Sequence, residues 1–119
     1  MTPEGIPPAQ LPNEWIQIVV RLLREGPGSS VTITQRARLD WENTFPEATG
    51  YDLYTAMANA LLWDRAGNRV EGMRPLDGET YEFWFYYASC RLYGKINLFP
   101  SRDRILIYSS HLPLKGDNL

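Results

Sequence analysis

The chain has 119 residues, of which 44% are hydrophobic and 13% aromatic, and its formal net charge is −2. This length fits one domain with one core, and the apolar content excludes global disorder. No apolar run reaches the ~20 residues that a membrane-spanning helix needs. The single cysteine, Cys90, excludes an internal disulfide and a thiolate metal cluster. The N-terminus has neither a basic segment nor an apolar one, so no signal peptide is expected, and we predict a reduced, cytoplasmic protein without a membrane segment.

Charge is unevenly distributed along the chain. Residues 1–82 hold 12 acidic and 7 basic residues, whereas residues 83–119 hold 2 acidic and 5 basic ones. Such segregation can give a weakly acidic protein one basic face, although counts this small also fluctuate by chance. The overall charge of −2 argues against strong non-specific binding to nucleic acid.

The chain is predicted to begin with an arm that leads into a helix. Four prolines within residues 1–12 prevent a regular helix, so we expect a Pro-rich arm there and a single α+β domain over residues 13–119. Asn13 is the expected cap of a helix over residues 14–25, because its side chain can accept a hydrogen bond from an unpaired backbone amide. The buried stripe of this helix follows helical spacing and comprises Trp15, Ile18, Val19, Leu22 and Leu23.

A second helix is predicted after a short extended segment at residues 31–33. Thr34 is the expected cap of this helix, which covers residues 35–44. Its candidate inward positions are Ala37, Trp41 and Phe45.

A third helix is predicted over residues 51–62, opened by Thr49 or Gly50. Its buried stripe comprises Leu53, Met57, Ala60 and Leu61. Residues 64–78 are rich in turn-forming side chains and are expected to be irregular.

The last part of the chain is predicted to be an antiparallel sheet of three strands. Period-two alternation marks strands over residues 79–88, 91–99 and 104–110, and the turns between them are too short for a crossover. The predicted fold class is therefore α+β, with N-terminal helices packed on one face of a C-terminal antiparallel three-stranded sheet.

Alternation separates the two faces of the middle strand. Leu92 and Ile96 fall on the core face, and Tyr93 and Lys95 on a polar, aromatic and open face. His111, the one histidine of the chain, follows the next strand, and imidazole exchanges protons near neutral pH. An imidazole that moves a proton, an ammonium that holds a phosphate and a phenol that stacks or donates form a workable set for RNA cleavage. Taken singly, a solvated lysine and a surface histidine are the plainer interpretations.

Several familiar motifs are missing from the sequence. It has no Gly-rich phosphate loop, no His-x-x-x-His or Cys-x-x-Cys pair, and no Gly-x-Ser-x-Gly elbow. Its carboxylates are scattered along the sheet rather than paired. These absences disfavour a metalloenzyme and a glycosidase, and neither a metal nor a cofactor is predicted.

The string LYGKINLFPSRDRILIYSSH resembles the end of MqsR-type toxins, members of the RelE-like (BECR) group of small endoribonucleases. In that group a Tyr-x-Lys-hydrophobic strand precedes an apolar strand ending in Ser-Phe-His or Ser-Phe-Lys. The matching residues here are Tyr93-Gly94-Lys95-Ile96 and Ser109-Ser110-His111. Upstream, VTITQRARLDWENTF and GYDLYTAMANALL are similar to two helices of that family, so the resemblance covers about residues 13–111.

The chain also departs from this family at two places. Ser110 stands where the family's last strand carries Phe. The family often has a further basic residue between the last helix and the sheet, and the candidate substitutes for it here are Arg65, Arg69 and Arg74.

The resemblance implies a metal-independent endoribonuclease that needs no cofactor. The ribose 2′-OH would attack the adjacent phosphorus and leave a 2′,3′-cyclic phosphate and a 5′-OH. His111 would act as general base or acid, and Tyr93 would stack on a base or donate a proton. Lys95, together with Arg91 or Arg104, would neutralise the phosphorane. Further contacts to RNA phosphates would come from Arg91, Arg104 and Arg74. The implied partners are RNA and a cognate antitoxin or other small protein, which would occlude the sheet or a helix.

A non-enzymatic binding module is the main alternative: an immunity protein, an antitoxin-like partner or a phage-type inhibitor. A pI of about 5.3, four tryptophans and seven tyrosines suit a protein interface as well as a core. A degenerate nuclease fold that binds RNA without cutting it is a second alternative.

The nuclease hypothesis depends on the register of the last two strands. If Phe99 pairs with Arg104 and the ladder continues regularly, His111 lies opposite Leu92, at the edge of the core face. His111 comes opposite Tyr93 if the connection takes a fifth residue or if a bulge sits in the last strand. A strand that ends before His111 would also let the imidazole reach the open face. We predict one of these three arrangements.

Overall fold

The computed structural model describes residues 9–26, 28, 30–71 and 77–114. The elements of this part follow in the order α1 (Asn13–Glu25), β1 (Val31–Ile33), α2 (Gln35–Thr44), α3 (Gly50–Trp63), β2 (Asn68–Arg69), β3 (Glu79–Tyr87), β4 (Cys90–Leu98) and β5 (Ile105–His111). The α+β class predicted from the sequence is confirmed.

The three predicted strands form a consecutive antiparallel meander, as expected. β3 pairs with β4 from Glu79 opposite Leu98 to Tyr87 opposite Cys90, and β4 pairs with β5. Ala88 and Ser89 make the first turn with φ of 50° and 63°. Two left-handed residues in a two-residue loop match the right-handed twist of the strands that they join.

The sheet is larger than the three antiparallel strands predicted, because two short strands extend its edges. β1 pairs with β5 in parallel, with Val31 opposite Ile105, and β2 pairs with β3 antiparallel, with Asn68 opposite Glu82. The order across the five-stranded mixed sheet is β1-β5-β4-β3-β2. The helices are not all N-terminal to the sheet, since β1 lies between α1 and α2. A three-residue segment carries no local signal for a partner so distant in the sequence, so this correction required the structure.

The helices pack on the Leu92 and Ile96 face of the sheet, as predicted, and both of these residues are fully buried. Trp15 of α1 lies edge-on to Tyr81 with ring centroids 5.0 Å apart, and Trp41 of α2 lies 5.1 Å from the ring of Tyr87. Burying aromatic rings of this size supplies much of the free energy that holds helices on a sheet. The opposite face of the sheet is therefore left without a helix in the described part of the chain.

Two of the three helix caps predicted from the sequence are present in the structure. The side chains of Thr34 and Thr49 accept hydrogen bonds from Ala37 N and Asp52 N. The prediction for Asn13 was wrong: it is the first residue of α1, Pro12 occupies the cap position, and no side-chain cap bond forms. The Asn13 side-chain oxygen instead accepts a hydrogen bond from Arg65, a partner that lies 52 residues away.

The last residues of the predicted arm lie against the domain. Leu11 is 3% exposed, and its backbone N–H donates to Arg65 O at 2.7 Å. Residues 1–8, the rest of the predicted arm, lie outside the described residues. None of the helices in the described part is long and apolar enough to cross a membrane.

Candidate active site on the open face of the sheet

The face of the sheet that points away from the helices carries a mixed aromatic and charged set of side chains, and we call it the open face. Cross-strand pairing assigns its members, because paired residues project to the same side of a sheet. Around the middle of β4 the open face comprises Glu82, Trp84 and Tyr86 from β3, Arg91, Tyr93 and Lys95 from β4, and Tyr108, Ser109 and His111 from β5.

A bulge in β5 decides where the histidine lies. Phe99 N–H donates to Arg104 O at 3.1 Å, and pairing continues regularly to Ile96 opposite Ile107. The next pair is Lys95 opposite Ser109, so Tyr108 is an extra residue in the ladder, and His111 comes opposite Tyr93. Of the three arrangements predicted from the sequence, the bulge is the one present, and it moves the histidine from the core side to the open face.

The imidazole of His111 stacks beside the ring of Tyr93. The two ring centroids are 5.2 Å apart and the ring planes are inclined by 31°. The Nδ1 atom lies 2.7 Å from Leu112 O. A carbonyl oxygen only accepts, so Nδ1 donates this hydrogen bond and carries a proton. In the neutral imidazole Nε2 then keeps its lone pair, which makes Nε2 the atom able to take up a proton.

Tyr93 itself is held on several sides and is 8% exposed. Its hydroxyl donates a hydrogen bond of 2.5 Å to Glu82 Oε1. Trp84, directly opposite on β3, packs edge-on to it with ring centroids 6.2 Å apart. These contacts fix both the ring and the hydroxyl of Tyr93.

Lys95 is the cation next to this pair. It lies two residues from Tyr93 along β4, on the same face, and its cross-strand partner is Ser109. Its Nζ atom is 6.0 Å from the centroid of the Tyr108 ring. Burial raises the pKa of the Tyr108 phenol above its ordinary value of 10.0. Among the described residues, no carboxylate lies within 4.0 Å of the Lys95 ammonium as an ion pair.

Arg91 adds a second positive charge on the other side of Tyr93. It is two residues away on the same strand, which corresponds to about 7 Å along β4. Its guanidinium lies over the Trp84 ring, 4.2 Å from the centroid, and the residue is exposed. Tyr86, its cross-strand partner, is 56% exposed. A stacked and exposed guanidinium beside aromatic rings is a surface that suits both phosphates and bases.

Arg104 lies apart from this group. Its guanidinium is 4.6 Å from the centroid of the Phe99 ring, at the far end of β4 and about 20 Å along the strand from Tyr93. Arg65 bonds Asn13, and Arg69 pairs with Glu71 at 2.9 Å, so neither is part of the group. Arg74 lies outside the described residues.

Glu82 is the member of the site that the sequence analysis did not single out. It lies directly opposite Lys95 on β3 and accepts the hydrogen bond from Tyr93. Alternation along residues 79–88 places Glu82 on the face of Trp84, and a two-residue turn after Tyr87 would have placed it beside Lys95. The sequence therefore contained the information that places Glu82 beside Lys95, but its use required the correct length of the turn after Tyr87.

The described residues contain no group of three or more His, Cys, Asp or Glu side chains that could hold a metal ion.

Comparison with models of known protein families finds no match for this sequence, and searches of curated proteins and of solved structures find none either.

Proposed function

We propose that this chain is a metal-independent endoribonuclease that cleaves RNA by attack of the ribose 2′-OH on the adjacent phosphorus. The observation that carries the proposal is the bulge in β5, which places His111 opposite Tyr93 on the face that also carries Lys95 and Arg91. A proton acceptor and cations that stabilise the phosphorane are the groups that this reaction needs.

Each group has a role in the proposed reaction. His111 Nε2 takes the proton of the 2′-OH as the 2′-oxygen bonds to phosphorus, since Nδ1 is engaged with Leu112 O. The bond from phosphorus to the 5′-oxygen breaks, and the 5′-oxygen takes up a proton from the Lys95 ammonium or from water. Lys95 and Arg91 stabilise the negative charge of the phosphorane. The products are a 2′,3′-cyclic phosphate and a 5′-OH.

We also propose a cellular location and a protein partner for this activity. Catalysis needs no cofactor, and the protein acts on RNA in the cytoplasm beside a cognate protein partner of the antitoxin kind. Such a partner would inhibit the enzyme by covering the open face, where the cations and the exposed Tyr86 lie.

The test is cleavage of a labelled single-stranded RNA by the purified protein in the presence of EDTA. We expect products that end in a 2′,3′-cyclic phosphate, and we expect His111→Ala to lower the rate by at least about 100-fold, the usual contribution of a general base. Arg38→Ala is the matched control, because Arg38 is exposed on α2, on the other side of the sheet. Intact RNA after long incubation with folded wild-type protein would reject the proposal.

A binding module remains the second candidate because of one specific surface. Trp63, at the end of α3, is 91% exposed and its neighbour Leu62 is 50% exposed. Leu62 also lines an open surface groove of about 440 Å³ together with Val20 and Arg24 of α1. Exposed aromatic and aliphatic side chains beside a groove suit a protein partner. If RNA cleavage is absent and Trp63→Ala abolishes a specific protein complex, this candidate replaces the nuclease.

A further inference from the structure

Glu82 is the one carboxylate that a described strand places on the open face. The other strand carboxylate, Glu79, lies on the helix side, where it binds Arg102 at 2.8 Å. A carboxylate on a surface for RNA repels the phosphates that the surface should bind. Glu82 therefore weakens substrate binding, and its presence at the centre of the site calls for a different role.

The contacts of Glu82 lead through Tyr93 to His111. The hydrogen bond from Tyr93 Oη to Glu82 Oε1 is 2.5 Å long, in the range of bonds between a hydroxyl and an ionised carboxylate. It fixes the direction in which the Tyr93 ring points. The same ring lies 5.2 Å from the imidazole of His111. The imidazole is thus oriented from one side by Leu112 O and from the other by a ring that Glu82 holds.

The direction of the hydrogen bond also bears on the role of Tyr93. Its proton points to Glu82 and not toward the space above Lys95, so the phenol is engaged as a donor within the protein. In this arrangement Tyr93 serves as a support for His111, and the proton transfers are carried out by the other groups.

We infer that Glu82 is a positioning residue, which acts through Tyr93 to hold the His111 imidazole in the orientation that proton transfer requires. This inference rests on the proposed nuclease activity. It assigns Glu82 two opposite effects on the reaction. Its charge weakens RNA binding, whereas its hydrogen bond speeds the chemical step, because a displaced catalytic group loses rate steeply.

The opposite effects can be tested by the kinetics of four variants of the site and one control variant. Glu82→Ala should lower kcat between about tenfold and 100-fold and lower KM as well, since the repulsive charge is gone. Glu82→Gln keeps an acceptor for the Tyr93 hydroxyl without the charge, so KM should fall while most of kcat returns. Tyr93→Phe should lower kcat like Glu82→Ala, and the double variant should be no slower than either single one, because both remove one bond. Glu42→Gln, on the exposed side of α2, is the control and should change neither constant.

A second measurement separates this inference from the nuclease proposal. The chain has one histidine, so the ring signals in an ¹⁵N-labelled sample report on His111 alone. We expect a single, ordered Nδ1-protonated ring in the wild type, and an altered and broadened signal in Glu82→Ala that Glu82→Gln restores. If no RNA is cleaved but these signals behave as expected, the nuclease proposal fails and the positioning role stands. An unchanged ring signal and an unchanged kcat in Glu82→Ala would overturn the inference.

Discussion

Tyr93 and His111 lie directly opposite each other on β4 and β5, with ring centroids 5.2 Å apart. In a regular ladder through the same connection, His111 would lie opposite Leu92, which is fully buried under the helices. One extra residue, Tyr108, changes the side of the sheet on which the only imidazole of the chain is found. The chemistry proposed for the open face depends on this bulge, which agrees with the frequent occurrence of bulges beside active sites.

Expression of the wild-type chain without a partner should arrest bacterial growth, because the proposed activity degrades cellular RNA. His111→Ala should relieve the arrest while its circular dichroism spectrum and solubility stay those of the wild type. Growth curves after induction, with the soluble protein quantified in each culture, check this. Normal growth at high levels of soluble, folded wild-type protein would contradict the toxin interpretation.

Lys95 and Arg104 should differ sharply in their importance for cleavage. Lys95→Ala removes a cation that lies two residues from Tyr93 on the open face and should lower kcat/KM by about 100-fold or more. Arg104→Ala removes a charge that lies over Phe99 at the far end of the strand, and should weaken RNA binding slightly without changing kcat. Steady-state kinetics on one RNA check the contrast, with Arg38→Ala as the control for loss of a distant positive charge. Equal losses of kcat/KM in the two variants would contradict a reaction centred on the part of the open face that carries Lys95.

Ser110 should contribute to stability rather than to catalysis. It is fully buried, and its hydroxyl donates a hydrogen bond of 2.8 Å to Ala37 O, which ties β5 to α2. Ser110→Ala should lower the free energy of unfolding by about 1 kcal/mol. Its neighbour Ser109→Ala, on the open face, should change it by less than about 0.5 kcal/mol. Urea unfolding followed by tryptophan fluorescence measures both, and a larger loss in Ser109→Ala would be inconsistent with this assignment.

Alkaline pH should destabilise the fold through Tyr54. Burial raises the pKa of this phenol above its ordinary value of 10.0, and the residue is 7% exposed. A raised pKa in the folded state contributes stability that is present below the unfolded pKa and is lost as the pH rises through the folded one. Tyr54→Phe should therefore flatten the fall in the urea midpoint between neutral pH and about pH 11, above the ordinary tyrosine range. An identical pH profile for the variant and the wild type would contradict this prediction.

Local patterns in the sequence predicted the elements that form by local interactions. The meander followed from alternation and short turns, and the caps at Thr34 and Thr49 followed from side chains that can bond an amide three residues ahead. The cap at Asn13 was missed because Pro12 takes the extended conformation of a cap residue. The Asn13 side chain then finds a partner in Arg65, far away in the sequence.

The features that could not be predicted from the sequence depend on pairing between strands that are far apart in the chain. β1 is three residues long, and its pairing with β5 leaves no trace in its own sequence. The candidate site was predictable as a set of residue types on β4, but the position of His111 was ambiguous between two registers. The observed pairing of β4 with β5 resolves the position of His111, and no side-chain pattern in residues 104–111 encodes a bulge.

The parallel pairing of β1 with β5 has a consequence for folding during synthesis. The Thr34 hydroxyl donates a hydrogen bond to Tyr108 O across 74 residues, so these parts can meet only after synthesis has passed Tyr108. Contacts this distant slow folding, because a long loop must close before they form. During synthesis, the residues of α1, α2 and α3 are made before β5, the strand that pairs with β4. His111 lies opposite Tyr93 only when β5 has paired with β4, so a nascent chain that lacks β5 would carry an incomplete set of the groups proposed for catalysis.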